Sequence, residues 1–403
     1  MERTPDMAET ARPVLRLKPK ADGRRVRRGA PWVYLSDIVA DRRSRAIPPG
    51  AVATLEDSER VPLATVAVNM GSKIAARVLD FDPDAIVDAA WIEARLAAAA
   101  AHRARLYDAP FYRLVHAEAD GLPGIVVDRF GDVAVLQPNA AWAAEREDWI
   151  ADALVRLGMP CVLRNASGRA RGLEGLDEAG AVLRGALPEA PLPVAMNGAT
   201  YLADVTGGQK TGLFYDQRPN HAMAARLARG AVLDVFSHVG GFALAMLAGR
   251  AETAVCVDGS AAALELLRGG AEASGVAGRI ETRRGDAFAT MSALAAEGAR
   301  FDTVVCDPPA FAPTRAALEA GLRGYEKVAL LAAPLVEPGG YLVLCSCSHA
   351  VDLAAFRTAC LRGLGRARRR GRIVHTGSAG PDHPVHPHLA ESGYLKALFL
   401  RLD

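Results

Sequence analysis

The chain has 403 residues, half of them hydrophobic, and a formal net charge of +2. That length exceeds one average domain and predicts two or three domains, each with its own core. No segment reaches the roughly 20 uncharged apolar residues of a membrane helix, and the opening MERTPDMAET lacks the basic and apolar regions of a secretory signal. These features argue against the membrane and secreted classes and predict a cytoplasmic protein.

The distribution of cysteines and charges limits the chemistry and the partners. The six cysteines, at positions 161, 256, 306, 345, 347 and 360, are spread too widely for a disulfide scaffold, so we expect reduced thiols. Between Arg12 and Arg45, eleven arginines and lysines stand against three acids, and RGLGRARRRGR near the end carries six arginines. Such clusters are either solvated faces or contact surfaces for a polyanion such as RNA.

Three parts follow one another along the chain. Residues 12–82 hold short apolar runs separated by glycine and proline, which is the pattern of a small β-barrel or open sheet. Residues 88–195 begin with an alanine-rich helix and continue as a β-β-α-β module with a hairpin at Gly131-Asp132. From residue 196 to 403, apolar strands alternate with alanine-rich helices, which predicts a doubly wound parallel sheet. The predicted fold class is α/β with a separate β domain.

The predicted strands of the third part end in polar residues, where ligands of such sheets bind. Asp234 closes the first strand before a turn at Gly240-Gly241, which opens a helix with its positive end toward a small ligand. Asp258 can accept from both ribose hydroxyls and Asp286 from an adenine amine, although each aspartate alone is also consistent with a helix N-cap. Because the turn lacks the G-x-G-x-x-G of a dinucleotide site, the set predicts S-adenosylmethionine as cofactor. The strands are AVLDVF, TAVCVD, IETRRGD, FDTVVCD and GYLVLCSC.

The last two of these strands end on groups suited to the reaction itself. Asp307, followed by two prolines, places an acid and free backbone carbonyls beside the transferred methyl group and a planar base. Cys345 and Cys347 project to the same side if the strand continues through both, so alternation does not choose between them. Both thiols are also consistent with small core residues.

The ordered motifs resemble the class I methyltransferases that form 5-methylcytosine in large-subunit ribosomal RNA. The resemblance implies an N-terminal PUA-like β-barrel that binds RNA (12–82), a small central α/β domain (88–195) and a Rossmann-like class I methyltransferase domain (196–403). Ribosomal RNA is the implied partner. A homodimer is also consistent with the sequence. The motifs are LKPKADGRRVRRGAPWVYLSDI, RLVHAEADGLPGIVVDRFGD, KTGLFYDQRPN, LDVFSHVGGFALA, VDGSAAALELL, GDAF, CDPPAF and CSCSH.

Roles for single residues follow from the same resemblance. Carbon 5 of cytosine is a poor nucleophile, and a thiolate that adds at carbon 6 supplies the electrons that methyl transfer needs. The SCS motif places this nucleophile at Cys347, with Asp307 as the second catalytic residue and His349 as the nearest candidate to assist the thiol. The implied cofactor contacts are Phe214, Gln217, Arg218, Asp234, Ser237, Gly240, Asp258, Gly259, Asp286, Ala287 and Asp307.

The chain departs from the family pattern, and other functions stay open. Ala310 stands where relatives carry cysteine or lysine, and Gly270 and Ser274 stand where they usually carry asparagine. One alternative is methylation of an exocyclic amine of guanine or adenine, in which Phe311 would stack on the base and no thiol is needed. Another is an RNA-binding assembly factor without turnover, which the absence of a cysteine or lysine at position 310 suggests.

A histidine cluster near the end invites a metal hypothesis. Its three histidines lie in the proline-rich stretch GPDHPVHPHLAESGYLK. Their spacing fits no common zinc pattern. We therefore expect a loop that lines the substrate entrance rather than a metal site. The histidines are His383, His386 and His388.

Overall fold

A computed structural model describes residues 12–167, 169–177, 179–206 and 212–403. The opening decapeptide and the Lys210-Thr211 pair of one motif lie outside these described residues. The chain groups into two compact units, one formed by most residues up to 186 and the other by residues 103–113, 128–131 and 187–403. In the described part, no helix is long and apolar enough to cross a membrane. The three domain boundaries proposed from the sequence stay a prediction.

The first unit begins with a small β-barrel, as the apolar runs of residues 12–82 predict. Its strands have the order β1-β3-β4-β5-β2, and a bridge between Leu17 and Ile38 joins the segments that follow the two edge strands. Alternate residues of β3, such as Ala53 and Leu55, are fully buried, which is the alternation of a barrel strand. The elements are β1 (Val14–Arg16), α1 (Gly23–Arg27), β2 (Trp32–Tyr34), α2 (Arg42–Arg45), β3 (Val52–Glu56), β4 (Pro62–Val68) and β5 (Ile74–Asp80).

A second five-stranded sheet follows, with the order β10-β9-β8-β7-β6. The predicted hairpin at Gly131-Asp132 joins β7 to β8, and Gly131 takes the left-handed conformation that such a turn requires, with φ 65°. The elements are α3 (Ala89–Ala104), β6 (Phe111–His116), β7 (Ile125–Phe130), β8 (Val133–Pro138), α4 (Ala141–Ala144), α5 (Glu147–Arg156), β9 (Cys161–Arg164), α6 (Arg169–Leu173) and β10 (Ala181–Arg184).

The second unit is built on a seven-stranded sheet with the order β15-β14-β13-β16-β17-β19-β18. Its central strands are fully buried at residues such as Leu233, Val304 and Leu342, because helices cover both faces of the sheet. The strand elements are β11 (Leu192–Met196), β12 (Ala199–Ala203), β13 (Ala231–Val235), β14 (Thr253–Asp258), β15 (Ile280–Arg284), β16 (Phe301–Cys306), β17 (Val336–Ser346), β18 (Gly371–Gly377) and β19 (Lys396–Leu402). The helices are α7 (Arg218–Leu227), α8 (Gly241–Ala248), α9 (Ala261–Ala273), α10 (Ala287–Ala296), α11 (Leu318–Ala332) and α12 (Leu353–Arg366).

The sheet contains one antiparallel strand that the sequence pattern did not predict. The five predicted strands are present and parallel, but β19 lies antiparallel between β17 and β18. The chain leaves β18 at Gly377 and returns through residues 378–395, which stay at the carboxyl edge of the sheet. A strand that starts from this edge must run in the opposite direction to its neighbours.

Candidate functional site

The predicted acids follow neighbouring strands of the seven-stranded sheet. Strands β15, β14, β13 and β16 are adjacent and parallel, so their carboxyl ends meet at one edge. Asp286, Asp258, Asp234 and Asp307 lie at or directly beyond these ends, in that spatial order. The sheet order thus brings together acids that are far apart in the sequence.

Asp234 is the most strongly perturbed of these acids. Its carboxylate is 1% exposed, and its Oδ2 accepts a hydrogen bond from the backbone N–H of Ala243 at 2.9 Å. Burial, with smaller contributions from the nearby Asp307 and Asp258, raises the pKa of Asp234 to about 8, although the hydrogen bond from Ala243 lowers it in part. Oδ1 is buried without a hydrogen-bond partner in the protein. A buried acceptor without a donor is costly, so this atom is suited to a ligand that brings a donor.

The turn after Asp234 has an unusual backbone. Phe236 and His238 have positive φ angles of 65° and 50°, and Gly240 has φ 84°. Only glycine fits at position 240, since a Cβ there would lie 2.9 Å from Leu267 Cγ. Non-glycine residues with positive φ are strained and often mark functional sites.

The turn offers fewer free backbone donors than its glycines predict. The N–H groups of Phe236 and Ser237 both donate to Val257 O, and that of Gly240 donates to Ser237 O. The N–H of His238 donates to Asp258 Oδ2 at 2.9 Å. Ser237 Oγ, in contrast, is buried without a partner. The turn therefore presents the Ser237 hydroxyl oxygen, while these four N–H groups are already used.

Asp258 is fixed on both carboxylate oxygens. Oδ2 accepts from the N–H of His238 and Oδ1 from the N–H of Ser260, at 2.9 and 2.8 Å. Each oxygen has a second lone pair, so two hydroxyl donors of a ribose can still be accepted. Asp286 is an exposed N-cap of α10, with Oδ1 accepting from Ala289 N at 2.8 Å. Its N-cap role leaves Oδ2 for another donor.

These residues fit S-adenosylmethionine. Its ammonium and ribose hydroxyls are donors, and the edge presents the unpartnered Oδ1 of Asp234, the unpartnered Oγ of Ser237 and the fixed carboxylate of Asp258. In these positions the residues would hold the amino-acid and ribose parts of the cofactor, while Asp286 would take the adenine amine.

The other residues predicted to contact the cofactor differ in their burial and in their contacts within the protein. Gln217 is buried, with Oε1 accepting from Asn220 Nδ2 at 2.7 Å, and the Phe214 ring lies 5.2 Å from the His238 ring. The Arg218 guanidinium donates to Phe111 O at 2.9 Å and stacks on Tyr107 at 4.2 Å. Gly259 is exposed and Ala287 is buried. Their contact with the cofactor stays a prediction.

The two candidate thiols differ in exposure. β17 ends at Ser346, so the strand does not continue through both cysteines. Cys345 is 1% exposed, and burial raises its pKa well above the usual thiol range, with a further increase from Asp307. Cys347 lies in the turn after the strand and is half-buried. A reactive cysteine must be accessible and able to ionise, which Cys345 is not. Cys345 and Cys306 are both buried core residues.

A hydrogen-bond network holds the turn that carries Cys347. Ser346 Oγ donates to the Tyr325 hydroxyl at 2.9 Å, and this hydroxyl lies 2.7 Å from Ser348 Oγ. Ser348 Oγ also accepts from the N–H of Ala312 at 3.0 Å. The serines on both sides of Cys347 are therefore anchored to α11 and to the loop after Asp307.

Sequence reasoning missed Lys396, which also holds this turn. Lys396 is 7% exposed and donates from Nζ to the carbonyl oxygens of Ser348 and Val351, both at 2.7 Å. The signal that could have found it is the near-continuous apolar stretch YLKALFLRL, which predicts a buried strand with a lysine near its start.

A cavity of about 700 Å³ adjoins the turn. Such a volume lies in the range of small-molecule sites. His349 lines the cavity, and its Nδ1 lies 3.0 Å from the Glu391 carbonyl oxygen. Because a carbonyl only accepts, Nδ1 carries the proton and Nε2 is the ring atom that can accept one. Thr314, Arg315, Ser378 and Lys396 also line this cavity.

The departures from the family pattern at Gly270 and Ser274 have a structural reason. A Cβ at Gly270 would lie 3.0 Å from Thr200 O, so an asparagine does not fit there. Ser274 Oγ accepts from Thr200 N at 2.9 Å and lies 3.2 Å from Thr200 O. Both residues therefore hold α9 against β12.

The three histidines near the end of the chain do not share one environment. His383 is buried, with Nδ1 3.0 Å from Asp382 Oδ1, and Asp382 Oδ2 accepts from Arg113 N at 3.0 Å. His386 and His388 lie in the following loop, with ring centroids 6.0 Å apart. In the described ranges, no group of three or more histidine, cysteine, aspartate or glutamate side chains is arranged to hold a metal ion.

Comparisons with known proteins agree with this geometry. Residues 15–81 match the model of a PUA-like domain, and residues 176–401 match the model of S-adenosylmethionine-dependent methyltransferases. Ribosomal RNA large subunit methyltransferase I of Klebsiella pneumoniae subsp. pneumoniae is 34% identical over 379 residues, covering 92% of this chain and 94% of that protein. The protein of the same name from Aeromonas hydrophila subsp. hydrophila is 35% identical over 379 residues, covering 92% and 95%.

Solved structures share the fold at low sequence identity. A Streptococcus mutans chain matches with a TM-score of 0.78 at 18% identity, covering 96% of this chain and 99% of that one. SMU.776, solved in complex with SAH, matches with a TM-score of 0.80 at 18% identity and the same coverage. The chain therefore belongs to the S-adenosylmethionine-dependent methyltransferases and, among them, to the family of ribosomal RNA large subunit methyltransferase I.

Proposed function

We propose that this protein methylates carbon 5 of a cytosine in large-subunit ribosomal RNA and that Cys347 is its nucleophile. The observation that carries the proposal is the half-buried Cys347 directly after β17, followed by a cavity-lining residue, His349. The matching relatives are named for large-subunit ribosomal RNA, which supplies the class of substrate. The basic surface of the PUA-like domain suits a polyanion of this kind.

The proposed reaction begins at Cys347. The thiol gives up its proton, its sulfur forms a bond with carbon 6 of the cytosine, and the electron pair of the ring double bond moves toward carbon 5. Bound S-adenosylmethionine supplies the electrophilic methyl group that carbon 5 then takes. A base removes the carbon-5 proton, and the bond between sulfur and carbon 6 breaks to restore the thiolate. His349 Nε2 and solvent are candidates for handling these protons.

Asp307 would hold the cytosine from the opposite side. Its N–H donates to Val235 O at 3.2 Å, so the acid is tied to the end of the central strand. Its carboxyl would bind the N3 and N4 edge of the ring and stabilise the charge that develops during thiolate addition. The two prolines after Asp307 keep its backbone fixed.

The geometry gives little support to methylation of an exocyclic amine. That reaction needs an aromatic side chain free to stack on the base. The Phe311 ring packs 5.0 Å from the Tyr325 ring and 6.3 Å from the Phe288 ring, and it closely contacts Gly324, where a Cβ would lie 2.8 Å from the ring. Phe311 is half-buried against these rings, which limits its freedom to stack on a base.

Trapping with RNA that carries 5-fluorocytosine at the target tests the proposal. Fluorine cannot leave as a proton does, so the protein should stay covalently attached to the RNA when S-adenosylmethionine is present. The adduct should form with the native protein and with Cys345→Ala, and it should disappear with Cys347→Ala. Denaturing electrophoresis and peptide mass spectrometry would identify the attached residue.

Cys345→Ala is the matched control, because it removes a thiol two residues away from the same segment. If only Cys345→Ala loses the adduct, Cys345 is the nucleophile and the proposed assignment to Cys347 is wrong. Normal methylation by Cys347→Ala would rule out the carbon-5 mechanism and favour the amine reaction. Absence of both methylation and S-adenosylmethionine binding in the native protein would favour a non-catalytic assembly factor.

A further inference from the structure

Strand β19 brings a buried cation to the turn that contains Cys347. Lys396 is the first residue of β19 and pairs with Ser346, the last residue of β17. Because the segment 378–395 returns to the carboxyl edge of the sheet, β19 begins beside the reactive end of β17 rather than at its far end. The position of Lys396 therefore follows from the one antiparallel strand in this sheet.

The Lys396 ammonium fixes the backbone that follows the thiol. Its Nζ donates to Ser348 O and to Val351 O, both at 2.7 Å. An ammonium has three N–H donors, and two of them are used on this turn. The carbonyls so held lie on both sides of His349, and the first belongs to the residue next to Cys347. Lys396 thus limits the movement of the segment that presents the thiol.

The charge of Lys396 lacks a carboxylate partner at ion-pair distance within the described chain. Burial lowers the pKa of Lys396, while Cys347 and Asp352 raise it. Asp352 is the N-cap of α12, and its Oδ1 accepts from Ala355 N at 2.7 Å. A buried ammonium without a counter-ion is costly. A thiolate at Cys347 would be such a counter-ion.

Among the described residues, two of the ionisable groups that face Cys347 are phenols, which bring no positive charge. Tyr325 comes from α11 and Tyr394 from the segment before β19, and burial raises the pKa of each phenol, so both stay neutral at pH 7. His349 is turned toward Glu391 O. Arg315, on the loop after Asp307, lines the same cavity as His349 and Lys396 and is a second cation of this region.

We propose that Lys396 is a positioning residue that orders the turn after Cys347 and favours the thiolate form of Cys347 by its charge. The inference rests on the proposed role of Cys347 as nucleophile. A cation close to a thiol favours the ionised form and lowers its pKa. Thiolate addition would then need no strong base beside the sulfur, and the proton would leave to solvent.

Alkylation of the full-length protein tests this without RNA or cofactor. The rate of iodoacetamide modification at Cys347 is measured against pH by peptide mass spectrometry, so that the other thiols do not interfere. In the native protein the midpoint should lie below the ordinary thiol value of about 8.5. In Lys396→Met it should rise by about one pH unit or more, with roughly tenfold slower modification near neutral pH.

Two further variants separate charge from packing. Lys396→Arg keeps the charge and should keep most of the lowered midpoint, whereas Lys73→Met removes an exposed lysine of the first unit and should leave the midpoint unchanged. A merely structural lysine would alter stability in Lys396→Met without moving the midpoint of Cys347. Calorimetric binding of S-adenosylmethionine shows whether the site of each variant is folded.

The inference is overturned if the native midpoint lies at or above the ordinary thiol value. It is also overturned if a folded Lys396→Met keeps the native midpoint. If Lys396→Met fails to fold, the midpoints of Cys347 alkylation in the native protein and in Lys396→Arg still test the inference. Failure of the proposed function looks different, because Cys347→Ala would then methylate RNA normally whatever the midpoint of the native thiol.

Discussion

At the scale of single residues, Asp234 shows how burial changes an acid that the sequence alone presents as an ordinary strand-end aspartate. Its pKa is about 8 in the folded chain, whereas an unfolded aspartate has a pKa of about 4. Between these values the folded chain holds a proton that the unfolded chain has lost. The stability that this proton provides is present below about pH 4 and is lost as the pH rises through about 8.

The Asp234→Asn variant should expose this linkage. Asparagine keeps an oxygen for the N–H of Ala243 and cannot ionise. We expect the variant to gain stability relative to the native protein by about 1 kcal/mol for each pH unit between pH 5 and 8. Urea denaturation of both proteins without cofactor, repeated across this range, measures the difference. A difference that does not change with pH would contradict the assigned pKa.

The same residue scale separates the two cysteines at the end of β17. Cys345 and Cys347 are equivalent in sequence pattern, and the termination of the strand at Ser346 makes them different. One thiol stays inside the sheet and the other enters a turn held by Ser346, Ser348 and Lys396. A two-residue separation thus decides which sulfur is available for chemistry.

At the scale of elements, the PUA-like barrel cannot be removed cleanly to test RNA binding. Trp32 and Arg77 bind Glu118 at 2.8 and 2.7 Å, and Arg77 also binds Glu174 at 3.1 Å. Deletion of residues 1–82 would remove these contacts and expose the surface that the barrel covers, so it would disturb the rest of the first unit. A loss of RNA binding after such a deletion would therefore not identify the barrel as the RNA-binding element.

Surface substitutions on α1 give a cleaner test. Arg24 and Arg25 are exposed, and the buried Val26 anchors the helix. Replacing both arginines by alanine should weaken RNA binding and reduce the slope of log K against log salt by about 1.4 for single-stranded RNA. Filter binding of ribosomal RNA fragments at several salt concentrations measures both quantities. Cofactor affinity should stay unchanged.

Arg27→Ala is the matched control on the same helix. Arg27 pairs with Asp57 at 2.8 Å, so part of its charge is already compensated. Its removal should change the salt slope less than the removal of either neighbour. No effect from any of the three arginines would show that α1 does not contact the RNA backbone, whereas an equal effect from all three would mean that Asp57 does not compensate the charge of Arg27.

At the scale of the whole molecule, ribosomal RNA from cells that lack this protein should miss one methyl group. Mass mapping of large-subunit RNA would locate it, and the proposed chemistry requires that it sit on a cytosine. Complementation with the native gene should restore the methyl group, whereas the Cys347→Ala variant should not. Loss of a methyl group from a purine amine would assign a different reaction to the same fold.

The sequence by itself determined the parts of the fold that depend on local pattern. Four of the five parallel strands of the methyltransferase sheet are near-continuous apolar runs, so each is recognisable without knowledge of its neighbours. β15, with the sequence IETRR, is mostly polar and follows only from the alternation of strands and helices. The acids Asp234, Asp258 and Asp307 were found because they end such apolar runs, and Asp286 because it follows β15. The small barrel of residues 12–82 followed from short alternating runs with glycine and proline between them.

Only the tertiary structure decided which groups act together. The insertion of β19 depends on pairings with β18, which ends 19 residues before β19 begins, and with β17, which ends 50 residues before it. No local pattern specifies these pairings. That insertion is what brings Lys396 to the turn after Cys347. Likewise, the raised pKa of Asp234 and the difference between Cys345 and Cys347 arise from burial, and burial is a property of the packed chain rather than of any segment read alone.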